Sequence, residues 1–166
     1  MSLIAAAYLI SEQRIATLLA DPLRVYEVLD GAYNDPTAGF VDLDKAWQCL
    51  HYLLTGRRED GDPPLNFIAA GGTPVGDDLG YGPARLFKPV EVASIANALA
   101  RVDPAGLRLR FDPKKLEQLD IYPGGWSRLN LRSDYELGYY FGPLEELKRL
   151  VERGRAEGAG MIVWIS

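Results

Sequence analysis

The chain has one cysteine and one histidine in 166 residues. A lone cysteine forms no internal disulfide, so the fold must rest on its apolar core, and a reducing cytoplasm is the expected compartment. Zinc is normally held by several Cys or His ligands, and Cys49 and His51 cannot supply such a set. Asp42, Asp44, Asp77 and Asp78 offer oxygen, but none stands in an EF-hand pattern, so neither metal nor cofactor is expected. Long apolar runs are also missing. None approaches the ~20 residues that span a bilayer, which argues against a membrane helix. Basic charge is short: 18 Lys and Arg against 23 Asp and Glu leave a formal charge of −5, the wrong sign for a nucleic-acid binder. Arg108, Arg110, Lys114 and Lys115 do cluster, but Asp103 and Asp112 interrupt them, as on a solvated helix face.

What is present reads as one domain over residues 1–166. The opening Met1–Ile10 is apolar with small residues. It lacks a basic stretch and runs directly into Ser11-Glu12-Gln13-Arg14, so it reads as an internal strand rather than an export signal. Met161–Ile165 is a second apolar, β-favouring run and the natural partner of the first; Tyr81–Phe87 is a third candidate strand. Asp-Pro pairs at 21–22, 35–36, 62–63, 103–104 and 112–113 punctuate the chain. Aspartate at an N-cap and proline at N1 suit helix starts, which is the reading for at least those at Pro22, Pro104 and Pro113. Val92, Ile95, Ala96 and Leu99 recur at helical spacing after Lys88-Pro89. Ser133-Asp-Tyr-Glu136 is a capping box, and Gly142-Pro143 should kink or split the helix it opens. The expected architecture is α+β, a small mixed or antiparallel sheet containing both terminal strands, packed with about seven helices.

The densest segment is Val41–Gly56, holding His51, Cys49, Trp47 and two aspartates. A helix from Asp44 would place Leu43, Trp47, Leu50 and Leu54 on one stripe with His51 on its flank. His51 is either a general base or a half-buried packing residue; Asp44 is either its carboxylate partner or the N-cap. Cys49, followed by Leu50 and without a cationic neighbour, reads as an inert thiol. A second segment, Gly71–Arg85, is a long glycine-rich loop. Gly71 and Gly76 have P-loop spacing, but Asp77 and Asp78 occupy the Lys and Ser/Thr positions and would repel phosphate. It leaves Asp77, Asp78, Tyr81 and Arg85 as binding candidates, Arg85 suiting an anion or an internal aspartate. In the third, Asp120–Trp126, Tyr122 and Trp126 flank a Pro-Gly turn and read as partner anchors or as a lid on the core.

The order of these segments is itself distinctive. Leu43-Asp44-Lys45-x-Trp47-x-x-Leu50-His51-x-x-Leu54-Thr55-Gly56, then Pro64-Leu65, the glycine-rich loop and Asp120-Ile-Tyr-Pro-Gly124, resembles the YfbM-like family of uncharacterised bacterial proteins, across nearly the whole chain. The resemblance implies an α+β fold and a bacterial cytoplasmic origin. It supplies no catalytic residues.

Function therefore rests on the residues. The leading expectation is a non-enzymatic binding or regulatory module acting through a protein partner or a small anionic ligand. Trp47 and Tyr81 would form apolar walls, with Arg85 orienting an anion and Tyr81, Tyr122 and Trp126 serving as exposed anchors. The alternative is a small hydrolase or transferase with His51 as general base, oriented by Asp44 or Asp78.

Overall fold

A computed structural model describes residues 2–35, 37, 39–130 and 133–166; Pro36 of the second Asp-Pro pair lies outside them. The strands are β1 (Ala5–Ile10), β2 (Phe40–Asp44), β3 (Thr73–Val75), β4 (Ala84–Phe87) and β5 (Gly160–Ile165). They form one antiparallel sheet in the order β2-β1-β5-β4-β3, with the terminal strands β1 and β5 paired at its centre from Ala5↔Ile165 to Ile10↔Gly160. Seven α-helices are found among the described residues. They are α1 (Glu12–Ala20), α2 (Val25–Ala32), α3 (Trp47–Thr55), α4 (Pro89–Ala100), α5 (Pro104–Arg110), α6 (Pro113–Gln118) and α7 (Asp134–Glu157).

The sheet is covered on both faces, which explains why its central strands are apolar throughout rather than alternating. Ala5, Ala7, Met161, Val163 and Ile165 face a large core built with α3 to α7. Ala6, Tyr8, Ile10, Ile162 and Trp164 face a smaller one built with α1 and α2. On β4 the same alternation puts Ala84 and Leu86 in the smaller core and Phe87 in the larger, so Arg85 shares the face of Phe87.

The helix starts follow local chemistry. Asp103 accepts from the N–H groups of Ala105 and Gly106, and Asp112 from that of Lys114, each with proline next in line. Pro22 opens a short 3-10 turn that leads into α2. Ser133 caps α7 through the Glu136 N–H at 3.3 Å. Gly142-Pro143 does not split the helix: α7 runs through Pro143 as one 24-residue helix. Tyr140 and Phe141 before the proline and Leu144, Leu147 and Leu150 after it are all buried, and this packing offsets the one lost backbone bond.

No helix among the described residues is long and apolar enough to cross a membrane. The tightest joint in the sheet is Gly160, where a Cβ would come within 2.2 Å of Ile15 Cδ1 and 2.7 Å of the Phe87 carbonyl oxygen. Gly160→Ala should therefore force apart β5, β4 and α1, lowering stability by about 1–3 kcal/mol in urea denaturation. An unchanged midpoint would mean that this joint has slack.

Candidate functional site

The dense segment does not begin as a helix. Phe40–Asp44 is edge strand β2, and the chain turns at Asp44, which has a positive φ of 41°, before α3 starts at Trp47. Asp44 is thus not an N-cap: Ala46 occupies that place and makes no side-chain cap. The Asp44 carboxylate instead accepts the Tyr139 hydroxyl of α7 at 2.8 Å. Burial and this carboxylate push the Tyr139 pKa well above its ordinary value. Nor is α3 amphipathic, because every residue from Trp47 to Leu54 is buried. The short helix sits inside the larger core, with Gly56 closing it in the left-handed region at φ 72°.

His51 is sealed, with no exposed surface. Neither ring nitrogen has a hydrogen-bond partner among the described residues, and the same holds for Trp47 Nε1 one turn earlier. Burial, aided by the nearby Arg85 guanidinium, drives the imidazole pKa down to about 4, against a smaller upward pull from the Glu59 and Asp60 backbone and the Asp60 carboxylate. His51 is therefore a neutral ring at physiological pH. Trp47 packs edge-on to Tyr81 at 5.0 Å between ring centres and leans on Tyr122 at 6.1 Å. The structure thus brings Trp47, His51, Tyr81 and Arg85 into one neighbourhood, the first two fully buried and the last two half-buried.

Arg85 departs furthest from expectation. Its guanidinium pairs with no carboxylate among the described residues. Nη1 donates to the carbonyl oxygens of Phe67 (3.0 Å), Ala70 (2.5 Å) and, at the limit, Gly71 (3.5 Å), and Nη2 donates to that of Ile68 (2.5 Å). Burial lowers its pKa to about 10, which leaves it charged at neutral pH. A guanidinium suits this task because its planar fork presents several donors in fixed directions to one turn of backbone.

The remaining candidates are tied into the scaffold by local contacts. Asp78 Oδ1 accepts the N–H groups of Gly80 and Gly82 within its own loop, and Asp77 accepts the Tyr26 hydroxyl at 3.2 Å. Together with Asp42 these aspartates do not converge, and no metal-holding group of three or more His, Cys, Asp or Glu occurs among the described residues. Tyr81 and Tyr122 are half-buried, and the Tyr122 hydroxyl ties down the N-terminal segment by accepting the Leu3 N–H at 3.0 Å. Trp126 is not an exposed anchor: it is 1% exposed, and its Nε1 donates to the Ile121 carbonyl at 2.6 Å. Cys49 is buried, and desolvation pushes its thiol pKa far up.

Open, concave surface lies on the other side of the turn that Arg85 holds. A cleft of about 380 Å³ opens between the 61–72 segment and the first turns of α4, floored by Phe87 and Ile95 and walled by Pro63, Pro64, Gly71 and Gly72. Asn66 enters it from a nine-tenths buried position. Its Nδ2 donates to the Gly61 carbonyl at 3.0 Å, which fixes the amide orientation and leaves Oδ1 turned toward Gly71 with no partner among the described residues. Gly72, at φ 72°, makes room: a Cβ there would sit 2.9 Å from the Leu86 carbonyl oxygen and 3.0 Å from the Phe87 ring. Sequence reasoning passed over Asn66, Phe87 and Glu91. The available signal was Leu65-Asn66-Phe67-Ile68, a single polar residue inside an apolar run.

Two outcomes follow. Because the folded His51 pKa is depressed to about 4, the unfolded chain binds the extra proton first. Stability is then full above the unfolded pKa of about 6.5 and falls by roughly 3 kcal/mol as pH drops to about 4. Urea denaturation across that range should show the slope, and His51→Gln should remove most of it; an identical slope in the variant would place its origin elsewhere. Arg85→Lys offers a point charge to carbonyls arranged for a fork, so it should lose about 2–4 kcal/mol in the same assay. A loss below about 0.5 kcal/mol would show that these bonds are dispensable.

Comparison with known proteins agrees with this architecture. The model of a family described as a domain of unknown function (DUF1877) matches residues 1–164. Protein YfbM of Escherichia coli strain K12 is 34% identical over 88 residues, a stretch that spans 51% of this chain and 52% of YfbM. The crystal structure of YfbM from Escherichia coli, described as a protein of unknown function, superposes with a TM-score of 0.71 at 25% identity, covering 98% of this chain and 99% of that one. With a family match running almost end to end and the same fold in a solved relative, this chain belongs to the DUF1877 family.

Proposed function

We propose that this protein is a non-enzymatic binding domain that takes a small organic ligand in the cleft between the 61–72 segment and α4. The reading rests chiefly on Asn66, a buried amide that the fold orients through Gly61 and whose Oδ1 stays open to the cleft. Oδ1 is a fixed, solvent-reachable acceptor in an otherwise mostly apolar cleft, and a few placed polar groups in such a cleft are what orient a small ligand. The volume suits a small metabolite rather than a peptide, near the lower end of the roughly 300–1,000 Å³ typical of ligand sites.

The commitments of the other candidates support the same choice. His51 is sealed and held neutral, Arg85 is engaged with backbone carbonyls, and the Cys49 thiol is buried with its pKa pushed up. A general base and an anion-stabilising cation would each need a route to substrate.

Thermal-shift screening of the native protein against small metabolites should yield binders, since a ligand that prefers the folded state raises apparent stability by mass action. Val90 lines the cleft yet is 70% exposed, so Val90→Trp should plug the site without disturbing the core and abolish those shifts. Shifts that survive the plug would place the binding site elsewhere.

A further inference from the structure

We infer that the ligand of this cleft is a small organic ammonium, an amine protonated at neutral pH and carried on a compact apolar body. The inference rests on the cleft reading above and gives it a chemical class.

The polar groups that line the cleft ask for hydrogen-bond donors. Asn66 presents Oδ1, with one of its two amide N–H groups held by the Gly61 carbonyl. Glu91 presents a carboxylate: Oε2 accepts the Lys88 N–H at 2.7 Å, which caps α4, and Oε1 has no partner among the described residues. Ser94 donates its hydroxyl proton to the Val90 carbonyl at 3.1 Å, so toward a ligand it offers lone pairs. A primary ammonium carries three N–H donors and no acceptor, which matches this set in kind and in charge.

Among the described residues, no Lys, Arg or His lines the cleft. Beneath the floor lies Arg85, whose guanidinium carbon is 5.8 Å from the centre of the Phe87 ring and whose Nη donors are committed to the carbonyls of the 67–71 turn. Its charge disfavours a second cation at the floor and so sets the polarity of binding. The apolar body lies over Phe87 and Ile95, and the ammonium points outward to Glu91. A formal charge of −5 on the whole chain favours approach of a cation over an anion.

The test compares three probes of one shape on 15N-labelled full-length protein followed by two-dimensional NMR: 2-phenylethylammonium, 2-phenylethanol and phenylacetate. The expected result is that the ammonium shifts the Asn66 side-chain amide and the Gly71 and Gly72 signals, and binds about tenfold or more tightly than the alcohol, with phenylacetate weakest. Glu91→Gln keeps an acceptor for the Lys88 N–H, so α4 stays capped, and should bring the ammonium down to the affinity of the alcohol. Equal binding of ammonium and alcohol at these signals, or a preference for phenylacetate, would overturn the charge assignment while leaving the cleft as a binding site. Selectivity for the ammonium that persists in Glu91→Gln would overturn the role given to Glu91. No shift at Asn66, Gly71 or Gly72 with any probe at millimolar concentration would remove both the inference and the cleft reading beneath it.

Discussion

A half-buried guanidinium bonded to backbone carbonyls is the constraint around which this domain is organised. Arg85 projects from β4 into the larger core side of the sheet and gathers the carbonyl groups of residues 67, 68, 70 and 71. Those carbonyls belong to an irregular turn, where backbone acceptors lack the neighbours that a helix or ladder would supply. Desolvation lowers its pKa to about 10, still high enough to keep it charged at neutral pH, and its charge is spent on several charge-assisted bonds. The result is that the 61–72 segment is fastened to the sheet from below. Its inner side closes over α3, and its outer side becomes the wall of the cleft.

This arrangement separates two sets of residues that share one neighbourhood. On the inside, Trp47 and His51 are buried with the half-buried Tyr81 against them, and desolvation and the nearby Arg85 cation outweigh the smaller upward pull of Asp60 on the imidazole. On the outside, Asn66, Phe87 and Glu91 remain within reach of solvent-borne ligands. Gly72 is the hinge between the two in a literal steric sense, since only a residue without Cβ lets the strand β3 enter so close to Phe87. Position within the sheet decides which set a side chain joins. Arg85 and Phe87 stand two apart on β4 and share a face, so the cation supports the floor of the cleft without entering it.

Much of the scaffold was legible in the sequence because its signals are local. Asp-Pro pairs at 103 and 112 act through hydrogen bonds within three residues, and the two terminal apolar runs pair as strands because both their faces are covered. The short edge strands β2 and β3 were not legible. Val41-Asp-Leu-Asp44 alternates correctly for a half-exposed strand, but its proximity to a strong helical run drew it into the helix, and Thr73-Pro74-Val75 contains a proline that only an edge strand tolerates. The site was less legible still. Rare residue types marked α3, yet rarity measures neither exposure nor orientation, and Trp126 and His51 turned out to be interior. Asn66 is an ordinary residue type, and what distinguishes it is a partner five residues back and a glycine five residues on, a relation that appears only after the 61–72 segment has closed.

The central claim is that the histidine motif is architecture and that recognition takes place on the opposite side of the turn it supports. The most direct test is a proton NMR titration of the imidazole, which needs no assignment variants because the chain has a single histidine. The account predicts one set of ring signals that stays flat between about pH 5 and 9, as expected for a sealed ring whose pKa lies near 4. A full titration with a midpoint near the ordinary value of about 6.5 would show a solvated His51 and contradict the account at its base.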